Sequence, residues 1–335
     1  MRSAKLLRCH KGQLNLDVTL TCGQSFRWKK NSQGEWTSVL ANKVWFLKQD
    51  DAGNIHYEVV QPESEERNPV ATCDSVSKKS RKRKLDTSTK VGQDHNADEK
   101  VLKDYFQLNV DVEQLYQQWA SIDPVFKKVS KDLPGIRILR QDPLETLMAF
   151  ICSSNNNITR ITNMVNKLCE KYGDKVLQLG SESYFAFPEA KHLDRDCVEK
   201  ELRAAGFGYR AKYIRATAKE LSSREPLWLE SLRDAEYAVA HAELCKLPGV
   251  GAKVADCVCL MALDKADVVP VDTHVWQIAV RDYLPHLFKN KTLTDKVYKE
   301  VGHFFREKFG PYAGWAHSVL FTADLKPTKA RAKES

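Results

Sequence analysis

The sequence predicts an α+β protein, with an antiparallel β-rich part first and a larger helical part after it. Apolar and polar residues alternate from Leu14 to Leu20, which is the period of a half-buried strand. After residue 99, apolar residues recur every three or four positions, as on one face of a helix. The chain has 335 residues, enough for two domains.

The β-rich part is predicted over residues 1–61. Runs of aromatic and β-branched residues follow Leu20 and are separated by turn-rich breaks, at 25–28, 36–40, 44–47 and 55–60. Such runs favour strands, and the short breaks between them favour antiparallel neighbours.

Residues 62–98 are polar and charged, and we predict a disordered insert because they cannot bury enough apolar surface to offset the entropy of ordering. Within them, residues 78–84 carry six positive charges. This run resembles a nuclear localisation signal, although a solvated linker also fits it. The tail 326–335 adds four bases and one acid, so these two segments hold nearly all of the net charge of +8. The short basic segment 1–13 leaves a mitochondrial fraction open.

No apolar run reaches the roughly 18 residues that a membrane helix needs, so no membrane association is expected. The nine cysteines are scattered, which favours reduced thiols. Cys257 and Cys259 have no second pair at metal-binding spacing, so no zinc site is expected.

The helical part is predicted over residues 99–325, and a hairpin of two helices over about 235–264. One helix ends near Leu244, a Pro–Gly–x–Gly turn follows, and a second helix begins near Ala252. Gly249 and Gly251 permit positive φ, and the first-turn amides of the second helix are free to bind a DNA phosphate. The pattern favours a helix-hairpin-helix, which contacts the DNA backbone. An ordinary corner between two helices is the alternative.

Two charged residues follow this turn. Lys253 lies in the first turn of the second helix, where the positive end of the helix dipole favours an uncharged, nucleophilic amine. Asp272 comes nineteen residues later and is expected to cap a helix. A carboxylate beside a reactive amine can also stabilise positive charge that develops on a sugar. Lys253 as a phosphate contact and Asp272 as a plain cap remain the alternatives.

Together these motifs resemble the eukaryotic 8-oxoguanine DNA glycosylases of the helix-hairpin-helix superfamily. The resemblance covers most of the chain outside the insert and the tail, in segments GQSFRW (23–28), FICSSNNNITRI (150–161), GYRAKY (208–213), LPGVGAK (247–253), VPVDTH (269–274) and GPYAGWA (310–316). It implies a TBP-like N-terminal β domain and a two-part all-α helix-hairpin-helix core.

The resemblance also implies a base-excision repair enzyme that is both DNA glycosylase and lyase. Lys253 would attack C1′ of a flipped-out nucleotide, form a Schiff base and allow the strand to be cut by β-elimination, while Asp272 supports the charged transition state. The implied substrates are 8-oxoguanine and related oxidised purines, such as formamidopyrimidine-guanine, in duplex DNA opposite cytosine.

By the same resemblance, Cys257 and Phe321 are opposite walls of the base pocket, and the carbonyl of Gly23 accepts the N7 hydrogen of 8-oxoguanine. Core packing is the alternative for Cys257 and Phe321, and a strand-edge glycine for Gly23. The family usually has Gln where this chain has His317. A neutral imidazole offers one donor and one acceptor instead of an amide pair.

The resemblance further assigns three residues to the unpaired cytosine, Asn155, Arg160 and Arg210, with Tyr209 as a wedge. It places His274 at a phosphate on the lesion side, with capping of the next helix as the alternative. An arginine in isolation is more often solvated or bound to phosphate.

The carbonyls of Cys245, Leu247 and Val250 are implied to hold a structural cation, and no cofactor is expected for catalysis. No cysteine follows Cys259, so no iron–sulfur cluster is expected near the C-terminus. The expected partner of a monomeric enzyme is duplex DNA with 8-oxoguanine opposite cytosine. A non-catalytic DNA-binding module and a glycosylase for another lesion are the competing hypotheses.

Overall fold

The computed structural model describes residues 4–61 and 93–325. Its strands are β1 (Lys5–Leu7), β2 (Lys29–Lys30), β3 (Trp36–Leu40), β4 (Lys43–Gln49), β5 (Ile55–Val60), β6 (Lys175–Leu179) and β7 (Glu182–Phe185). Its helices are α1 (Leu16–Thr19), α2 (Gln93–Tyr105), α3 (Val112–Ile122), α4 (Pro124–Val129), α5 (Pro143–Ser153), α6 (Ile158–Tyr172), α7 (Ala190–Leu193), α8 (Val198–Ala204), α9 (Arg210–Ser222), α10 (Trp228–Ser231), α11 (Tyr237–Cys245), α12 (Ala252–Ala262), α13 (Thr273–Asp282), α14 (Asp295–Phe309) and α15 (Ala313–Leu325).

The N-terminal part is a five-stranded antiparallel sheet in the order β1-β5-β4-β3-β2. One face packs against α2, where Leu102 and Phe106 join Trp45 and Tyr57 in a shared core. Helices form most of the remainder around a second core, to which α5, α12 and α15 contribute. The predicted α+β class is therefore confirmed. In the described residues we find no helix that is both long and apolar enough to cross a membrane.

The strand predicted from Leu14 to Leu20 is wrong, because this segment contains the short helix α1. The side chain of Asn15 caps the helix by accepting a hydrogen bond from the amide of Asp17, at 3.2 Å. Leu16 and Leu20 join the core of the sheet, whereas Val18 joins the helical core. The alternation arises because the segment lies between two cores, so apolar residues are buried on both of its sides.

Helix α2 begins at Gln93, within the segment predicted to be a disordered insert up to residue 98. Asp98 is buried and forms ion pairs with Lys5 at 2.7 Å and Lys43 at 2.9 Å. Because pairing between distant charges is invisible in composition, this polar segment resembled the insert. The basic run 78–84 and the tail 326–335 lie outside the described residues.

The prediction that residues 99–325 are all helical also needs correction, because β6 and β7 form an antiparallel hairpin within them. Val176 packs with Val44 and Phe46 of the N-terminal sheet, in a small cluster separate from the two main cores. Contacts with a strand more than a hundred residues earlier therefore stabilise this hairpin, which local periodicity cannot reveal.

Candidate active site

The turn between α11 and α12 requires glycine at position 249. Gly249 has φ +78°, and a Cβ there would lie 2.5 Å from Cγ of Tyr213. On the same turn, the carbonyl of Pro248 accepts a hydrogen bond from Thr217 Oγ1 at 2.6 Å. Both Tyr213 and Thr217 belong to α9, so α9 fixes the turn that precedes the second helix of the hairpin.

Gly251 differs from the prediction, because it has φ −99° and ψ 179°, an extended conformation open to any residue. A Cβ there would meet nothing within 4 Å. Gly251 is the N-cap of α12, and no side chain bonds to the first-turn amides. Those amides are therefore left for another acceptor, as a phosphate-binding helix start requires.

Lys253 lies in the first turn of α12 and is partly buried. Its Nζ donates a hydrogen bond to Ser153 Oγ at 3.3 Å, at the end of α5. The same nitrogen lies 5.1 Å from the centre of the Phe150 ring. Two groups of α5 therefore hold the amine.

Asp272 is the N-cap of α13, as predicted, and accepts a hydrogen bond from the amide of Val275 at 2.9 Å. The preceding residues Val268, Val269 and Val271 are buried in the helical core. One carboxylate oxygen is therefore committed to the helix start, and the backbone that carries it is anchored by apolar packing.

Lys253 and Asp272 line one cavity, between α12, α13 and α15 and the turn after α1. Cys257, His317, Phe321 and Gly23 line it too, so the structure brings together six residues that the sequence assigned to catalysis and base binding. The cavity measures about 50 Å³, which is room for a few water molecules. This volume is smaller than a purine base.

Cys257 follows Lys253 by one helical turn and is fully buried. Burial raises the pKa of its thiol to about 11, and the nearby charge of Lys253 opposes this rise. The group is therefore a neutral thiol at physiological pH, which suits an apolar pocket wall.

His317 is buried on α15, and its ring stacks on Phe321 with the ring centres 6.1 Å apart. Burial lowers its pKa to about 4, although the charge of Asp272 opposes this fall. The backbone of Gly314 lies close to the His317 ring, but its carbonyl accepts a hydrogen bond from Ser318 Oγ, at 2.9 Å. Neither ring nitrogen of His317 has a hydrogen-bond partner among the described residues. A buried polar atom without a hydrogen-bond partner costs free energy, and a ligand that bonds to it would remove this cost.

Gly23 lies in the turn that follows α1, not at a strand edge, and has φ +81°. A Cβ there would lie 3.5 Å from Ile158 Cδ1 and 3.7 Å from Phe321 Cε1. The adjacent Gln24 is buried and spans to the helical part, donating to the carbonyl of Arg137 at 2.7 Å and accepting from the amide of Leu139 at 2.9 Å. Gln24 therefore holds this turn of the N-terminal part against the pocket.

The residues assigned to the unpaired cytosine lie outside this cavity, around the turn between α5 and α6. Asn155 is exposed with φ +47°, a conformation that asparagine tolerates better than most residues. Arg210 is buried and donates to the carbonyl of Asn155 at 2.9 Å, while its guanidinium lies 4.6 Å from the centre of the Tyr209 ring. In the free protein Arg210 therefore organises the asparagine turn, and Tyr209, 49% exposed, projects beside it.

Arg160 and His274 are both exposed. Arg160 donates to the carbonyl of Gly206 at 3.2 Å. His274 packs edge-on against Phe321 at the pocket, and its Nδ1 lies 3.9 Å from a carboxylate oxygen of Asp324. Capping of α13 belongs to Asp272 instead of His274.

Cys245, Leu247 and Val250 lie at the end of α11 and in the turn that follows. The Leu247 carbonyl already accepts a hydrogen bond from the amide of Val250 at 3.2 Å. The described residues contain no cluster of three or more His, Cys, Asp or Glu side chains arranged for a metal. The structural cation therefore stays a prediction.

The sequence analysis did not identify the residues that contact the Lys253 amine or the segment that precedes Asp272. Ser153 and Phe150 lie within a quoted motif, but their contacts with Lys253 span about one hundred positions. Asp256 and Tyr298 were also missed, and no local pattern marks Tyr298. A buried acidic residue in the middle of α12, flanked by apolar residues, was the available signal for Asp256.

Family models match the chain along most of its length. Residues 6–147 match the N-terminal domain of 8-oxoguanine DNA glycosylase, and residues 148–303 match the HhH-GPD superfamily of base excision DNA repair proteins. The chain is 40% identical to the N-glycosylase/DNA lyase OGG1 of Arabidopsis thaliana, over 95% of this chain and 79% of the relative. It is 36% identical to the N-glycosylase/DNA lyase of Saccharomyces cerevisiae, over 96% of this chain and 86% of the relative.

The chain belongs to the 8-oxoguanine DNA glycosylase family. The resemblance inferred from the motifs is therefore confirmed, and so is the prediction of a bifunctional N-glycosylase/DNA lyase of base-excision repair. A solved glycosylase of this family gives the same architecture. The Clostridium acetobutylicum 8-oxoguanine glycosylase/lyase, in complex with duplex DNA containing cytosine opposite 8-oxoG, is 29% identical, with a TM-score of 0.73 over 96% of both chains.

Proposed function

We propose that this family member excises 8-oxoguanine from duplex DNA opposite cytosine, with Lys253 as nucleophile and Asp272 as its electrostatic partner. The observation that carries the proposal is the shared cavity, in which the Lys253 amine and the Asp272 carboxylate lie with His317, whose ring nitrogens have no hydrogen-bond partner within residues 4–61 and 93–325. A module that only bound the DNA backbone would need the hairpin but not this arrangement.

In the proposed reaction, Nζ of Lys253 forms a bond to C1′ while the bond from C1′ to the base breaks. The base leaves with the bonding electrons and takes up a proton. Opening of the sugar ring gives a Schiff base, and loss of a proton from C2′ then expels the 3′ phosphate. The amine must be unprotonated to attack, and its hydrogen bond to Ser153 Oγ fixes its position.

Asp272 supports the step in which positive charge builds on the sugar. One of its oxygens accepts from the Val275 amide, which fixes the direction of the carboxylate before any charge develops. Groups that are oriented in advance stabilise a transition state at no cost of reorganisation during the reaction.

On the base side, the proposal assigns recognition to Gly23, Cys257, His317 and Phe321. Because the cavity of about 50 Å³ is smaller than a purine, the proposal requires some lining side chains to shift when the base enters. The neutral imidazole can then give its donor or its acceptor to the edge of the base. Oxidised purines related to 8-oxoguanine, such as formamidopyrimidine-guanine, are included because they share the edge that this pocket contacts.

On the other strand, the proposal assigns Asn155, Arg160, Tyr209 and Arg210 to the cytosine that loses its partner. Arg210 already lies against the asparagine turn, so cytosine binding would exchange its contacts with carbonyls for contacts with the base. Gly249, Gly251 and His274 are proposed to face DNA phosphates.

We further propose that the enzyme acts in the nucleus, because residues 78–84 carry a dense basic run that resembles a nuclear localisation signal. We also propose that it acts as a monomer. Replacement of those six basic residues by alanine should leave excision unchanged and disperse a fluorescent fusion from the nucleus. Retention of the fusion in the nucleus would contradict the assignment. A mass measured in solution at twice that of the chain would contradict the monomer.

The test of function is base release from a panel of duplexes of one sequence, each with a single modified base. We expect release of 8-oxoguanine opposite cytosine, followed by a nick, and much slower release opposite adenine. Equal release of 8-oxoguanine and unmodified guanine would contradict the specificity. Release of another damaged base alone would show a glycosylase for a different lesion.

A further inference from the structure

A buried carboxylate lies on the helix that carries Lys253 but outside the pocket. Asp256 is only 2% exposed and does not line the cavity. Burial raises the pKa of Asp256, and hydrogen bonds from two tyrosines oppose this rise. A buried acid of this kind is expensive unless its contacts serve the fold or the site.

One of its partners reaches the loop that carries Asp272. The hydroxyl of Tyr298, on α14, donates a hydrogen bond to Asp256 Oδ2. The hydroxyl oxygen of Tyr298 in turn accepts a hydrogen bond from the amide of Val271 at 3.5 Å. Val271 is the residue before Asp272, so one hydroxyl connects the helix of the nucleophile to the backbone of its carboxylate partner.

The second partner makes no such connection. The hydroxyl of Tyr237 donates a hydrogen bond to Asp256 Oδ1 at 2.8 Å. Tyr237 belongs to α11, the first helix of the hairpin. His241 lies nearby, with its Nε2 3.6 Å from the same oxygen. These contacts tie α11 to α12, but they do not involve the Asp272 loop.

We propose that Tyr298 is a positioning residue that sets the separation between Lys253 and Asp272 by bridging Asp256 to the amide of Val271. The proposal rests on the proposed function, since it assigns the geometry of that same pair. The Val271 bond is long, but the bridge acts on the distance between reacting groups, to which catalytic rates are steeply sensitive.

The chain offers a matched pair of variants for the test. Tyr298→Phe and Tyr237→Phe each remove one hydroxyl from the same carboxylate and keep the ring, but only Tyr298→Phe removes the bridge. For Tyr298→Phe we expect single-turnover release of 8-oxoguanine opposite cytosine to slow about tenfold. Its affinity for a duplex with a tetrahydrofuran abasic analogue should stay within about twofold, because the DNA-binding surface is unchanged.

For Tyr237→Phe we expect a release rate within about twofold of the parent, at a comparable loss of melting temperature. Asp256→Asn keeps an acceptor oxygen for Tyr298 and should retain a rate within about threefold of the parent. Equal slowing by both tyrosine variants would overturn the proposal and leave a purely structural role. An Asp256→Asn rate as low as that of Tyr298→Phe would also overturn it, because the charge of Asp256 would then control the site.

The parent enzyme separates this proposal from the one on which it rests. If the parent gives no covalent adduct under borohydride with the 8-oxoguanine duplex, the proposed nucleophilic mechanism fails. If the parent forms the adduct and the two tyrosine variants behave alike, only the bridge fails.

Discussion

The two sides of the pocket differ in how completely their polar groups are satisfied. For the proposed mechanism, we call Lys253 and Asp272 the catalytic wall, and Gly23, Cys257, His317 and Phe321 the base-facing wall. On the catalytic wall, Lys253 bonds to Ser153 and Asp272 caps α13. On the base-facing wall, both nitrogens of His317 lack partners among the described residues. In the proposed mechanism the chemistry is therefore organised in advance, whereas recognition is completed by the base itself.

The largest effect is expected from Asp272→Asn, which tests the catalytic wall directly. Asparagine caps a helix as well as aspartate does, so fold and DNA affinity should change little. The excision rate should fall about 100-fold or more, because the charge that supports the transition state is lost. Rates measured under single turnover check this, with Asp111→Asn as control, since Asp111 caps α3 in the same way and does not line the pocket. Equal losses of rate and affinity would indicate a structural cap only.

The next largest effect concerns the hairpin that supports the catalytic wall. Gly249→Ala should destabilise the protein by about 2 kcal/mol or more, because φ is +78° and the new Cβ would meet Tyr213. Gly251→Ala should be nearly neutral in stability, since φ there is −99° and the space is open. Urea denaturation of the pair checks this. Equal stabilities would mean that the turn adopts another conformation in solution.

The base-facing wall should make stability depend on acidity. The pKa of His317 is lowered to about 4, so between about pH 6.5 and 4 the unfolded chain binds a proton that the folded protein does not. Stability therefore falls as pH falls through this window. From pH 7 to 5 the parent should lose about 2 kcal/mol more than His317→Gln. If the free energy of unfolding of the parent and of His317→Gln fell in parallel with pH, folding would not lower the pKa of His317.

The smallest effect is expected on substrate affinity. His317→Gln supplies an amide donor and acceptor together, where imidazole can direct only one nitrogen to the base. We expect the KM for the 8-oxoguanine duplex to fall about fivefold, with little change in kcat. His303→Gln, which replaces an exposed histidine of α14 outside the pocket lining, is the control. A large change in kcat would mean that His317 takes part in the chemistry.

The sequence predicted the catalytic wall better than the packing around it. Lys253 and Asp272 follow from two short motifs, because helix position and capping are local properties, whereas Cys257 was assigned by the family resemblance. Gly249 and Gly251 were both expected to permit positive φ, and only Gly249 adopts it. Residue types in a turn do not by themselves determine which glycine carries the strain.

The failures lie where distant segments meet. The alternation at Leu14–Leu20 indicated a strand because the sequence could not show that two cores bury α1 from both sides. The β6–β7 hairpin depends on packing against β4. The bridge joins Tyr298 to Val271 and Asp256, which lie 27 and 42 positions earlier in the chain, so only the folded chain reveals it.

The central claim, that Lys253 is the nucleophile, is tested most directly by mapping the trapped adduct. The enzyme is incubated with a duplex containing 8-oxoguanine opposite cytosine, and borohydride reduces the Schiff base to a stable adduct. The adduct is digested, and the modified peptide is sequenced by mass spectrometry. We predict a single sugar-modified residue, Lys253, and no adduct with Lys253→Gln. An adduct on another amine, or one that persists in Lys253→Gln, would contradict the account.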